Sequence, residues 1–221
     1  MSERPEAPKP PLYLAAIALA IAGFLVGKEL DLGWLRLVTK PLPVLIMAAA
    51  ILGRRPDRYS RRIALGLVAS AGGDVCLEIS GPLFIPGVFA FLVAHLFYIA
   101  AFLRRSAAPS LLRALPYALW GWLAFSALRP GLGELEIPVA VYCVALCTMG
   151  WRSSALLGRG HGRDVWIAAV GALLFQISDT ILAFNLFHAP IAGATAMIMT
   201  TYWLGQLGIA ASAMSPERTR V

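Results

Sequence analysis

The stretches LGLVASAGGDVCLEI, residues 65–79, and VGALLFQISDTILAF, residues 170–184, each hold a single aspartate inside an apolar run. Asp74 lies twelve residues past Arg62, roughly 18 Å along a helix. Asp179 lies fifteen residues past Asp164, roughly 22 Å by the same rise. If these runs cross a bilayer, both acids sit well inside hydrocarbon, where an Asp costs on the order of 2.5–3.5 kcal/mol on insertion scales. They must then face the bundle interior or a wet cavity. A carboxyl that only staples helices together is the plain alternative.

The rest of the chain fits membrane crossing. Of its 221 residues, 59% are hydrophobic and 14% charged, with a mean hydropathy of +0.73. A soluble domain carries about 25% charged residues. Lipid must therefore solvate part of this apolar surface. Runs bounded by Arg, Pro or Gly predict an all-α membrane protein, a bundle of about eight transmembrane helices. They fall near residues 12–27, 32–52, 63–80, 83–103, 111–128, 136–151, 165–187 and 191–214. One transmembrane domain over residues 12–214 is expected, flanked by cytoplasmic tails at 1–11 and 215–221. The first run has a mixed-charge flank and no clear cleavage site, so it reads as a span rather than a signal peptide.

Charge decides orientation. The formal net charge is +7, but the cations cluster in short loops, as topology determinants do, rather than in a nucleic-acid patch. With the N-terminus inside, fifteen of the nineteen Lys and Arg residues fall in inner loops or tails. Both termini are therefore expected in the cytoplasm. Arg outnumbers Lys sixteen to three, as in chains from GC-rich bacterial genomes, and a bacterial inner membrane is the expected location. Cys76, Cys143 and Cys147 lie in apolar runs without metal-type spacing and read as small hydrophobes.

The two opening stretches echo one another. Each has a small residue, Asp and then Leu three positions later, and each precedes a span carrying a tyrosine, Tyr98 or Tyr202. The third and fourth spans would mirror the seventh and eighth in a parallel four-plus-four repeat of the transporter kind. Chance likeness between apolar helices is the alternative.

Further polar groups gather on the same spans. Glu78 follows Asp74 by four residues, on one helix face. Either the two acids share a poorly solvated site, where both cannot ionise cheaply, or Glu78 reaches the outer interface. Lys40 follows Arg36 by four residues; it either snorkels outward or turns in as counter-ion to a carboxylate or phosphate. His95 and Tyr98 share a face, as do Tyr202 and Gln206. Gln176 falls on the Asp179 face, with Ser178 and Asn185 on a neighbouring stripe. His161 and His188 are expected in loops. No HExxH, GxSxG, Walker or GxGxxG motif occurs, which disfavours zinc-protease, serine-hydrolase and nucleotide chemistry. Carboxylate acid–base chemistry or proton-coupled transport remains.

In order along the chain, GGDVCLE (72–78), GVFAFLVAHLFYIAAF (87–102), FQISDTILAFNLF (175–187) and TYWLGQ (201–206) resemble the YhhN-type lysoplasmalogenases. The resemblance runs from about Lys40 to Gln206; the first, fifth and sixth spans match only in hydrophobicity and length. It implies a polytopic hydrolase that cleaves the vinyl ether of a lysoplasmalogen to an aldehyde and a glycerophospho-alcohol. Asp74 and Asp179 then fall on the family's two most characteristic acids. A vinyl ether is cleaved by protonation at its β-carbon, and water captures the oxocarbenium ion. Two carboxyls in unlike surroundings can divide those tasks, as in glycosidases. Asp74 is expected as the acid and Asp179 as the ionised partner. Lys40 would meet the head-group phosphate, while His95, Tyr98, Tyr202 and Gln206 would bind water or glycerol hydroxyl. The expected partners are a lysophospholipid and the bilayer, with no nucleic acid. No cofactor is required, although Asp and Glu alone can hold a metal. A small proton-coupled transporter is the rival reading, and a scaffold with stapling acids the third.

Overall fold

In hydrocarbon a backbone can satisfy its own polar groups only as a helix or a closed barrel, and this composition takes the first course. Residues 10–158 and 162–214 are described by a computed structural model. They form nine α-helices: α1 (Pro10–Glu29), α2 (Gly33–Thr39), α3 (Leu42–Leu52), α4 (Arg58–Ile79), α5 (Phe84–Arg105), α6 (Leu111–Leu128), α7 (Glu136–Ser154), α8 (Arg163–Phe187) and α9 (Ala194–Met214). Among the described residues there is no strand. The expected tails, apart from the start of α1, and the loop placement of His161 lie outside the described residues.

Among the described residues, six helical stretches are long and apolar enough to cross a membrane: Leu12–Glu29, Gly33–Leu52, Gly81–Arg105, Leu111–Gly131, Gly133–Ser154 and Arg163–Phe187. The protein is an integral, multi-pass membrane protein. Its outward surfaces agree, with Leu19 75%, Leu112 83% and Ile137 76% exposed, an arrangement that water would penalise and lipid does not. The second expected span is two helices rather than one. Pro41 and Pro43 lack the N–H that would bond the carbonyl four residues back, so the ladder breaks at Lys40–Pro41. Helix α4 begins at Arg58, five residues before the expected start, because Asp57 caps it by accepting from the Ser60 N–H at 2.8 Å.

The chain divides into two compact units, Met1–Ala94 and His95–Val221, with the boundary inside α5. In the first, α3 packs on α4, and α1 on α2 and α3. Val44, Met47, Ile63 and Leu67 are fully buried there. In the second, α8 and α9 make the closest pairing. A Cβ on Gly205 would lie 2.7 Å from the Phe175 nitrogen, and one on Gly171 2.7 Å from the Gly205 oxygen. Small residues let the two backbones touch, as in other membrane helix pairs. The arginines read as topology determinants also clamp loops. Arg113 donates to the Ser154 and Leu157 carbonyls at 2.6 and 2.5 Å, and Arg152 donates to the Ser106 and Ala108 carbonyls. Arg105 pairs with Asp164.

Candidate active site

In the second unit the polar groups converge on Asp179. Helix α8 presents Phe175 and Asp179 one turn apart. The Tyr142 hydroxyl, from α7, donates to Asp179 Oδ2 at 2.5 Å. His95, from α5, holds Nε2 3.8 Å from the same oxygen, beyond hydrogen-bonding distance. The His95 ring meets Tyr142 and Phe175 edge-on, with centroids 5.1 and 5.0 Å away. Phe175 in turn meets Tyr98 and Tyr202 at 6.5 and 5.5 Å. This aromatic wall leaves the Asp179 side chain 10% exposed and His95 fully buried.

Below that wall, Tyr98 donates to Gln206 Oε1 at 2.7 Å. Gln206 Nε2 and Gln176 Oε1 are buried with no hydrogen-bond partner among the described residues. Buried orphan groups are uncommon, and a site that takes up water or ligand is one place where they are expected. Of the residues expected around an acid, His95 stands beside Asp179, Tyr98 and Tyr202 meet Phe175 one turn away, and Gln206 is bonded to Tyr98. Ser178 and Asn185 do not join them through their hydrogen bonds. The Ser178 hydroxyl donates to the Ile198 carbonyl at 3.0 Å, tying α8 to α9, and Asn185 Oδ1 accepts from the Ile191 N–H at 2.8 Å, shaping the turn before α9.

In the first unit Asp74 is 2% exposed on α4. Gly73 beside it has no Cβ because the Phe91 ring fills that space, 2.5 Å from where one would stand. The helix runs unbroken through Gly72 and Gly73. Glu78, one turn on, is held by two cations. Arg36 Nε donates to Oε1 at 2.8 Å and Lys40 Nζ to Oε2 at 3.1 Å. Of the two fates open to Lys40, the structure has it turned inward on a carboxylate, with its side chain 14% exposed. Glu78 is thus an ion-pair partner on one end, four residues from Asp74. The break at Lys40–Pro41 sets Lys40 at the end of α2, one turn from Arg36, so both cations reach one acid.

Tyr142 was not among the residues singled out from sequence. The signal available was slight: a tyrosine six residues into an apolar helix has a hydroxyl that needs a partner. Among the described residues no group of three or more His, Cys, Asp or Glu side chains is set to hold a metal ion.

Lipid-crossing helices and acids buried in their interior define a polytopic membrane protein with an intramembrane polar site. The YhhN family model matches residues 35–213. Human "Lysoplasmalogenase TMEM86B" is 38% identical over 189 residues, covering 84% of this chain and 78% of that one. Human "Lysoplasmalogenase TMEM86A" is 34% identical over 192 residues, covering 82% and 79%. The "Lysoplasmalogenase" of Mycobacterium tuberculosis is 35% identical over 202 residues, covering 87% and 73%. The chain belongs to the YhhN family. No solved structure matches it.

Proposed function

We propose that this protein is a membrane hydrolase acting on lysoplasmalogens, releasing a fatty aldehyde and a glycerophospho-alcohol. The observation that carries the reading is similarity to lysoplasmalogenases over more than four fifths of the chain. A buried Asp179 that accepts a hydrogen bond from Tyr142 supports it.

The chemistry follows from the substrate. A vinyl ether resists base but is protonated at its β-carbon, which moves positive charge onto the ether carbon and oxygen. Asp74, shut away from solvent on α4, serves as the proton donor. Asp179 suits the other role. Its Oδ2 is held by the Tyr142 hydroxyl, and its ionised form stabilises the oxocarbenium ion and draws a proton from the attacking water. The resulting hemiacetal collapses to aldehyde and alcohol, and the proton returns to Asp74. His95, Tyr98, Tyr202 and Gln206 supply the polar lining for that water and the glycerol hydroxyl, and Ser178 and Asn185 support them by holding α8 and α9 in place. Lys40, with Arg36 one turn before it, meets the head-group phosphate as a point charge. Glu78 fixes both cations by its two carboxylate oxygens.

The same reading takes α4 and α9 as crossings, bringing the total to eight. At 22 and 21 residues each spans roughly 30 Å, the hydrocarbon thickness. Their lower apolarity reflects the polar site groups they carry. Both termini then face the cytoplasm of a bacterial inner membrane, as the arginine distribution favours, and one transmembrane domain with a four-plus-four internal repeat accounts for the paired acids.

Purified protein, given a lysoplasmalogen and assayed for free aldehyde, tests the function. Hydrolysis by the native protein and its loss in Asp74→Asn and Asp179→Asn are expected. Retention of most activity in Asp74→Asn, with loss in Asp179→Asn, would sink the division of roles. Lys40→Met should raise KM with little change in kcat; a fall in kcat alone would count against the phosphate contact.

A further inference from the structure

Helix α6 turns most of its surface outward. Only Gly121 and Leu128 on it are buried, while Leu111, Leu112, Leu115, Leu119 and Leu123 are exposed. Between it and α7 runs a groove of about 470 Å³ lined by uncharged side chains, among them Ala114, Tyr117 and Gly121 on α6 and Cys143, Cys147 and Trp151 on α7. This volume is within the range of small-molecule sites, about 300–1,000 Å³. Gly121 sets its floor: a Cβ there would stand 2.8 Å from Cys147 Sγ, so the helices are already as close at that point as the thiol allows.

The groove backs onto the Asp179 cluster by three contacts. Cys147 Sγ lies 3.8 Å from Gln176 Nε2, and Gln176 is one turn from Asp179. Trp120 Nε1, next to Gly121, donates to Thr180 Oγ1 at 3.1 Å, the residue after Asp179. Tyr142, next to Cys143, donates to Asp179 itself. Together they set Asp179 beside the stretch of groove between Ala140 and Cys147, from which it continues to Trp151, roughly 12 Å beyond Cys143 along α7.

We propose that this groove receives the single hydrocarbon chain of the lysolipid, with the ether end beside Asp179 and the chain running toward Ala114 and Trp151. The inference rests on the lysoplasmalogen reading above. Its occupant is a hydrocarbon because the lining carries no charge and the flanking leucines are solvated by lipid. Moving a chain from bilayer to groove gains little hydrophobic free energy, since lipid tails are as apolar as the wall. What the groove contributes is register, holding the reacting bond at one place along α8.

The test uses the full-length protein in nanodiscs and a long-chain alkyl-ether lysolipid with a diazirine at its chain end, which cannot be hydrolysed. Crosslinks are expected on peptides spanning residues 114–125 and 140–151, competed by unlabelled alkyl lysolipid but not by extra diacyl lipid. The same lysolipid should slow maleimide labelling of Cys143 and Cys147 severalfold, leaving Cys76 as an internal reference. Crosslinks elsewhere, or equal competition by diacyl lipid, overturn the proposal. Separately, Ala118→Phe should shift the preferred chain length of hydrolysed lysoplasmalogens downward, and an unchanged preference overturns it too. Groove crosslinking by a native protein that releases no aldehyde would instead leave the groove standing and remove the hydrolase reading.

Discussion

Tyr142 has the most to say at the scale of single residues. Its hydroxyl makes the 2.5 Å hydrogen bond to Asp179, in a cluster where His95 Nε2 stands off at 3.8 Å. Removing it leaves the carboxylate without its donor while keeping the ring that packs on His95. A hydrogen bond to a charged group is worth about 1.5–3 kcal/mol, so Tyr142→Phe should lower kcat on the order of tenfold to a hundredfold. KM and the melting temperature should move little, because the ring contacts persist. Measured kcat, KM and thermal unfolding separate the outcomes: an unchanged kcat would show that the bond positions nothing the reaction needs. Asp74, Asp179, His95, Tyr98 and Gln206 were all legible in the sequence, since polar groups inside apolar runs stand out. Tyr142 was not, because a tyrosine in a membrane helix is ordinary until its partner is known.

Among elements, the α8–α9 pair carries the site's geometry. Phe175, Gln176 and Asp179 come from one helix, Tyr202 and Gln206 from the other, and Gly171, Gly205 and Gly208 let them meet backbone to backbone. Gly205→Ala places a Cβ 2.7 Å from the Phe175 nitrogen, and main chain cannot yield as a side-chain tip can. A loss of about 1–3 kcal/mol is expected, as for overpacking generally, with activity falling alongside it. Gly72→Ala is the matched control. Nothing lies within 4 Å of the position of its Cβ, and Ala favours a helix over Gly by about 1 kcal/mol. Thermal unfolding in detergent compares them; equal stability of the two variants would refute the close-packing account. Helix boundaries were legible to within five residues, except at the second span. There the KPLP motif was in view, but whether it bends one helix or ends it depends on what the freed carbonyls and the Lys40 ammonium find nearby.

For the whole molecule, orientation has the simplest measurement. With eight crossings, fifteen of the nineteen cations fall on one side, which predicts that a fluorescent protein able to fold only in the cytoplasm will fluoresce when fused to either terminus. Dark fusions at one end would mean an odd number of crossings and would remove α4 or α9 from the count. The six stretches long and apolar enough to span omit those two helices, one with Asp74 and Glu78, the other with Tyr202 and Gln206. Polar site groups lower a helix's apolarity where a bundle interior can accept them, so function and hydropathy pull against each other there.

The sequence by itself determined that this is an all-helical, multi-pass membrane protein, and it marked Asp74 and Asp179 as the groups that need explaining. Both conclusions rest on local properties: the energy of apolar side chains in lipid and the cost of an acid within one run. Tertiary structure alone decided the company each acid keeps. It turned Lys40 and Arg36 onto Glu78, brought Tyr142 to Asp179, and assigned Ser178 and Asn185 to helix pairing and a turn. Periodicity tells which face of a helix a residue occupies; it carries no information on which other helix that face will meet.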